Sequence, residues 1–191
     1  MKKTLVIVCL LFAGCAELTT FKIDNDGYYR FKHQPIEVKA PDPSCTVFDT
    51  EMSVDFSIGA GYWQIIGGYA VQVFPNSPKV PTEEAFLTYV KSGSVARFIE
   101  NDRKPAGFNF KVLKTEQTTV NGRPAWRGIG IDRDAKIPAL FLVTVVYLDT
   151  RTVFASLVFP LERLSDSSKY AELNDWTTYN QWVATIREIK K

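Results

Sequence analysis

The chain has 191 residues, 46% of them hydrophobic, and a formal net charge of +2 at pH 7. That length suits one domain with a full core, and the near balance of charge excludes a strongly basic, nucleic-acid-binding protein at the level of net charge. Three cysteines and one histidine exclude a disulfide framework, and also a standard zinc site unless several carboxylates contribute.

Met1-Lys2-Lys3 opens the chain with two positive charges, and Leu5 to Ala13 follows as an apolar run ending in Gly14, Cys15 and Ala16. A basic start, a short apolar stretch and a small-residue cleavage zone make a secretory signal. The run falls short of the about 20 residues that span a bilayer. Leu11-Phe-Ala-Gly-Cys15 resembles the lipobox of bacterial lipoproteins, with Phe12 where leucine is usual. The resemblance implies a signal peptide over residues 1–14 and a new N-terminus at Cys15 bearing lipid. Ordinary cleavage after Ala16 is the rival expectation. Two or more acyl chains on Cys15 would hold the protein stably on a membrane. Ala16 in place of Asp implies, by resemblance to enterobacterial lipoproteins, an outer-membrane anchor facing the periplasm.

Loss of residues 1–14 removes Lys2 and Lys3 and leaves a formally neutral chain. Cys9 departs with the leader. Cys45 then lacks a partner within the chain, and the expectation is a small buried hydrophobe, with a mixed-disulfide or intermolecular role as the alternatives.

Residues 15–44 read as a polar tether. Asp24-Asn-Asp-Gly27 forms a turn, Tyr28 to Phe31 at most one short strand, and Ala40-Pro-Asp-Pro-Ser44 a stiff spacer. A single α+β domain is expected over 45–191. Thr46 to Ile58 alternates as one strand, and Tyr62 to Phe74 is a second, with Gly67-Gly68 as a hairpin turn or a bulge. Thr82-Glu-Glu-Ala85 opens a helix with Thr82 as N-cap and Glu83 and Glu84 opposing its dipole. Ser92-Gly-Ser94 breaks or kinks that helix. Phe108 to Thr119 and Pro124 to Ile131 flank Asn121-Gly122, a pair that suits a two-residue hairpin loop. Ala139 to Leu148 is apolar on both faces, which belongs mid-sheet with both sides covered. Thr152 to Phe159 is its neighbour. Trp176, Tyr179, Trp182, Val183, Ile186 and Ile189 share one face of a closing helix, and core packing is their expected role.

This order of parts gives an α+β fold, an α-β-α sandwich with a mainly antiparallel sheet. Thr119-Val-Asn-Gly-Arg-Pro-Ala-Trp126 ahead of two long strands, then Asp175 to Ile186 as a closing helix, resembles the PsbP and DcrB superfamily across roughly residues 46–190. Gly59-Ala-Gly-Tyr-Trp63 stands where that family usually has Pro-x-x-Trp. The resemblance implies partner binding and no shared active site.

Residues able to perform chemistry are sparse. His33 lies in the expected tether, and no Gly-x-Ser-x-Gly elbow is present. Asp132 and Asp134 begin like a calcium loop, but the glycine and glutamate that should follow are missing, so they read as a polar loop. Gly59-Ala-Gly61 precedes a strand and not a helix, which gives no phosphate cradle. No catalytic residue, metal or cofactor is expected, and the protein reads as non-enzymatic. Tyr62, Trp63 and Tyr69 near flexible glycines, and Trp126 between Arg123 and Arg127, are the residue types that binding surfaces favour. The expected partner-binding surface is the Asn-Gly hairpin with Arg123, Trp126 and Arg127. An envelope protein is the expected partner. Binding of a small apolar ligand or lipid is the alternative, which would need an apolar cavity between sheet and helix.

Overall fold

The computed structural model describes residues 23–43, 45–58, 67–75, 82–101, 104, 107–136, 138–148, 151–163 and 176–189. In chain order these form β1 (Tyr28–Arg30), β2 (Ile36–Lys39), β3 (Thr46–Asp49), β4 (Ser53–Ile58) and β5 (Gly67–Pro75). The helical segment follows as α1 (Glu83–Tyr89), a π-helical turn (Val90–Ser94) and α2 (Val95–Asn101). Then come β6 (Lys111–Val120), β7 (Arg123–Asp132), β8 (Ala139–Leu148), β9 (Arg151–Pro160), α3 (Thr177–Val183) and β10 (Arg187–Glu188). Seven strands make an antiparallel sheet in the order β3-β4-β5-β9-β8-β7-β6, and β1-β2-β10 make a small second sheet.

β8 is buried at all ten positions. Alternate residues of a strand face opposite sides, so Leu140, Leu142 and Val146 feed one core while Phe141, Val143 and Val145 feed another. The second core is closed by α1 and α2 through Phe86, Val90, Val95 and Ile99. The first is closed by α3 through Tyr179, Trp182 and Val183, together with the small sheet. The architecture is therefore the expected α-β-α sandwich, with a three-stranded sheet sharing one outer layer.

The β6–β7 hairpin forms as its sequence dictates. Val120 pairs with Arg123 across a two-residue loop, and Asn121 and Gly122 both take positive φ, 52° and 75°, the left-handed geometry that matches the twist of the flanking strands. Pro124, which has no N–H to give, pairs only with β6, because the β7–β8 ladder begins one residue later at Ala125. Thr82 caps α1 by accepting the Ala85 N–H at 3.2 Å. The kink falls at Gly93, with φ of 85°.

Four expectations are corrected. From Tyr28 onward the segment read as a tether is part of the folded body: Tyr29, Phe31, Ile36 and Val38 are buried against the same core as α3. The inward residues of β2 alternate, and a C-terminal strand, β10, pairs with β2. Thr46 to Ile58 is two strands and not one. The Thr50 hydroxyl accepts the Ser53 N–H at 3.0 Å and so builds a turn without glycine or proline. Gly67 and Gly68 are neither turn nor bulge but the first ladder positions of β5, opposite Ile58 and Ser57. The closing helix stops at Val183, and Thr185 seals its end: its hydroxyl donates to Trp182 O at 2.7 Å and accepts the Lys39 N–H at 3.0 Å. Beyond it Ile186 is buried, Arg187–Glu188 form β10, and the Ile189 N–H donates to Pro35 O at 2.8 Å. The leader segment and Cys15 lie outside the described residues, and no described helix is long and apolar enough to cross a membrane.

Candidate functional site

The hairpin residues singled out from sequence do not make one surface. On β7, Arg123 and Arg127 share the side of Ala125 and Ile129, which faces the α3 core. Trp126 points to the opposite side and packs on the α1–α2 core. Two residues apart they would face together; one apart they cannot. Arg127 is also engaged. It sits directly opposite Glu116, and its Nε and Nη2 donate to Glu116 Oε1 at 2.6 and 2.5 Å. Arg123 is half-buried at the mouth of the hairpin. Asn121 does more than shape the turn: its amide donates to Ala184 O at 2.7 Å and ties the hairpin to the end of α3.

Between the hairpin and α3 lies a slot of about 120 Å³, lined by Thr118, Asn121, Arg127, Thr144, Asn180 and Val183. Thr144 in its lining lies next to the buried Tyr179 hydroxyl. Tyr179 is fully packed, and its hydroxyl donates to Ala155 O at 2.7 Å beside Thr144. Burial, more than any neighbouring charge, pushes the Tyr179 phenol far above its ordinary range. A small polar slot does not supply the apolar cavity that the lipid-binding alternative requires.

The remaining sequence candidates have structural roles. Tyr69 packs edge-on against Trp182 at 4.8 Å. Asp132 is buried, and its carboxylate accepts the N–H groups of Asn109, Asp134 and Ala135 at 2.5, 3.1 and 3.0 Å; it caps a loop, as a polar loop residue should. Asp134 is exposed. Glu83 and Glu84 are exposed in the first turn of α1. His33 is exposed between β1 and β2. Cys45 is half-buried against the core, and desolvation raises its thiol pKa, which lowers its nucleophilicity at neutral pH. Tyr62 and Trp63 lie outside the described residues. Among the described residues no three His, Cys, Asp or Glu side chains cluster as a metal site.

A different surface has the features of a binding site. Beside α2 runs an open groove of about 340 Å³ lined by Tyr89, Ser94, Arg97, Phe98, Asn101 and Phe154. Phe98 and Phe154 meet at 4.7 Å between ring centres, and Phe154 meets Phe74 at 5.1 Å. Phe74 and Tyr89 are 37% and 44% exposed, large rings left in solvent at the groove's edges. The π turn explains how the groove gets its charge. The Tyr89 carbonyl stands at the start of that turn, and the hydroxyls of Ser92 and Ser94 donate to it at 2.6 and 2.7 Å. Those hydroxyls in turn accept from Arg97 Nη2 at 3.3 and 3.1 Å. Arg97 is thus held by neutral groups, with no carboxylate partner among the described residues. Lys104 adds a second cation, donating to Asn101 Oδ1 at 3.2 Å.

Sequence reasoning missed this site because its members come from three distant segments. Tyr89 and Arg97 lie off the apolar stripe of the helix and read as ordinary solvent-facing residues. The one legible signal was Ser92-Gly-Ser94, a helix break with two hydroxyls and an arginine three residues on.

The sequence matches no known family profile and no curated protein. Solved structures share the fold. The Ran-binding protein Mog1p of Saccharomyces cerevisiae is 11% identical, with a TM-score of 0.54 over 85% of this chain and 95% of its own. Cyanobacterial PsbP from Synechocystis is 10% identical, with a TM-score of 0.51 over 84% and 91%. A Bacteroides thetaiotaomicron protein is 9% identical, with a TM-score of 0.56 over 86% of this chain and 49% of that one. At such identities the likeness establishes the fold: the chain has a PsbP-like and Mog1-like α+β sandwich, as its hairpin and closing elements resemble.

Proposed function

We propose that this protein is a non-enzymatic lipoprotein of the bacterial cell envelope, anchored through lipid on Cys15 and using its α+β body to bind another protein. The anchor rests on the basic start, the short apolar run and the sequence Leu11-Phe-Ala-Gly-Cys15; Ala16 favours the outer membrane, facing the periplasm. The binding role is carried by one observation, the groove beside α2, where exposed aromatic rings flank an arginine that has no carboxylate partner among the described residues. Aromatic and arginine side chains dominate the energetics of protein interfaces. The shared fold with a protein described as Ran-binding supports a binding role for this scaffold.

The anchor is tested by metabolic labelling with an alkyne fatty acid and membrane fractionation on a density gradient. Wild type should carry label and band with the outer membrane; Cys15→Ala should lose both. An unlabelled wild-type protein in the soluble periplasmic fraction would replace the anchor with simple secretion.

A further inference from the structure

The groove beside α2 has a chemistry that specifies its occupant, given that the protein is a binding module as proposed above. Three features converge. First, the apolar part is aromatic and shallow: Phe98 and Phe154 form a floor, and the exposed Phe74 and Tyr89 form edges. Rings in this arrangement grip one planar or branched apolar side chain by edge and face contacts. Second, the charged side chains described at the groove are basic. Arg97 and Lys104 lie on or next to the groove, and Lys91 is exposed on the π turn. Glu100, the described acid of α2, lies about 60° around the helix from Arg97, and the two make no ion pair among the described residues. Third, Arg97 is preorganised. Only its Nη2 is engaged among the described residues, by two serine hydroxyls. Nε and Nη1 make no hydrogen bond among the described residues, and each still has an N–H to give to a carboxylate oxygen.

We propose that this groove docks an acidic peptide segment of a protein partner, with an aromatic or leucine side chain seated against Phe74, Phe98 and Phe154 and a carboxylate on Arg97. The occupant is a chain segment and not a small metabolite because the groove is open and its aromatic edges stand in solvent. The serines fix the guanidinium before binding, so less side-chain entropy is lost when the carboxylate arrives. The site is placed on the sheet face opposite to α3 and the small sheet. The hairpin residues Arg123 and Arg127 take no part in it.

The test uses the full-length protein in detergent micelles and three fluorescent nine-residue probes. One alternates glutamate around a central Phe-x-x-Leu, the second keeps Phe-x-x-Leu but has lysine for glutamate, and the third keeps glutamate but has serine for Phe and Leu. Anisotropy should show saturable binding of the first probe, weakened by rising salt, and at least tenfold weaker binding of the other two. Arg97→Glu should weaken the acidic probe roughly tenfold or more and improve the lysine probe. Tyr89→Ala, an exposed ring whose backbone carbonyl is unchanged, should weaken both. Lys39→Glu, an equal charge change on the opposite side of the sheet, should leave the acidic probe unaffected. Equal binding of acidic and basic probes would refute the stated chemistry while leaving partner binding intact. Failure of all three probes, with anionic phosphatidylglycerol vesicles bound in an Arg97-dependent way, would replace the peptide with a membrane surface and overturn the partner reading as well. Failure of probes and vesicles alike overturns the proposal.

Discussion

The α3 core contains a buried phenol, Tyr179, whose hydroxyl satisfies the Ala155 carbonyl in the interior of the sheet. Its removal deletes that hydrogen bond where water does not reach, while the carbonyl stays within the ladder between β5 and β8. Tyr179→Phe is therefore expected to cost about 1–2 kcal/mol in urea unfolding, although the ring and its packing are kept; an unchanged midpoint would mean that the carbonyl finds another donor. Trp182 shows the opposite balance. Its ring packs against Phe56, Tyr69 and Tyr179, and its Nε1 donates to Lys39 O at 2.9 Å, which ties β2 to α3. Trp182→Ala should cost about 3–5 kcal/mol, mostly from lost burial. At this scale the sequence was legible for the core tryptophans and illegible for the site. Trp126, placed between two arginines, looked like a binding residue. Strand alternation puts it on the other side of the sheet from both.

At the scale of elements, glycine decides how the helical layer docks. A side chain at Gly130 would meet Ile99 at 2.3 Å and Phe110 at 3.3 Å, and one at Gly128 would meet Ile99 at 2.7 Å. These glycines let α2 lie close on β7. Gly130→Ala is expected to destabilise the fold by about 1–3 kcal/mol through overpacking, and to raise amide exchange in α2 more than in β8. Uniform exchange changes in both elements would contradict this local account. Which elements could be read in advance follows from how each carries its own signal. Asn121-Gly122 and the run Ala139–Leu148 encode their geometry within a few residues, and both formed as read. The β3–β4 turn rests on the Thr50 hydroxyl, which composition does not distinguish from any other threonine. β1 and β2 are short, set among prolines and polar residues, and their burial depends on β10, a strand some 150 residues away that itself read as helix. Nothing local could have revealed that pairing.

For the whole molecule, several buried proton donors share one direction of shift. Burial raises the pKa of Tyr29, Tyr179 and Tyr69, and of the Cys45 thiol. The hydrogen bond from Tyr29 to Asp49, at 2.6 Å, adds to the effect. Each group holds its proton in the folded chain at a pH where the unfolded chain has released it. The associated stability is complete below the unfolded values, about 8.5 for Cys and about 10 for Tyr, and is lost as pH rises beyond them. The urea midpoint should hold steady from pH 7 to about 8 and fall clearly by pH 10.5. A flat profile would mean that those hydroxyls ionise without opening the core.

The central claim is that the groove beside α2 is where the protein meets a partner, and it places the function on the sheet face opposite to Arg123, Arg127 and the small sheet. The most direct measurement is photo-crosslinking in cells from a photoreactive residue at position 89, with position 39 as control and Arg97→Glu in each background. The account predicts one dominant crosslinked protein from position 89, greatly reduced by Arg97→Glu, and no such product from position 39. Capture from position 89 that is indifferent to Arg97, or the same product from both positions, would contradict it.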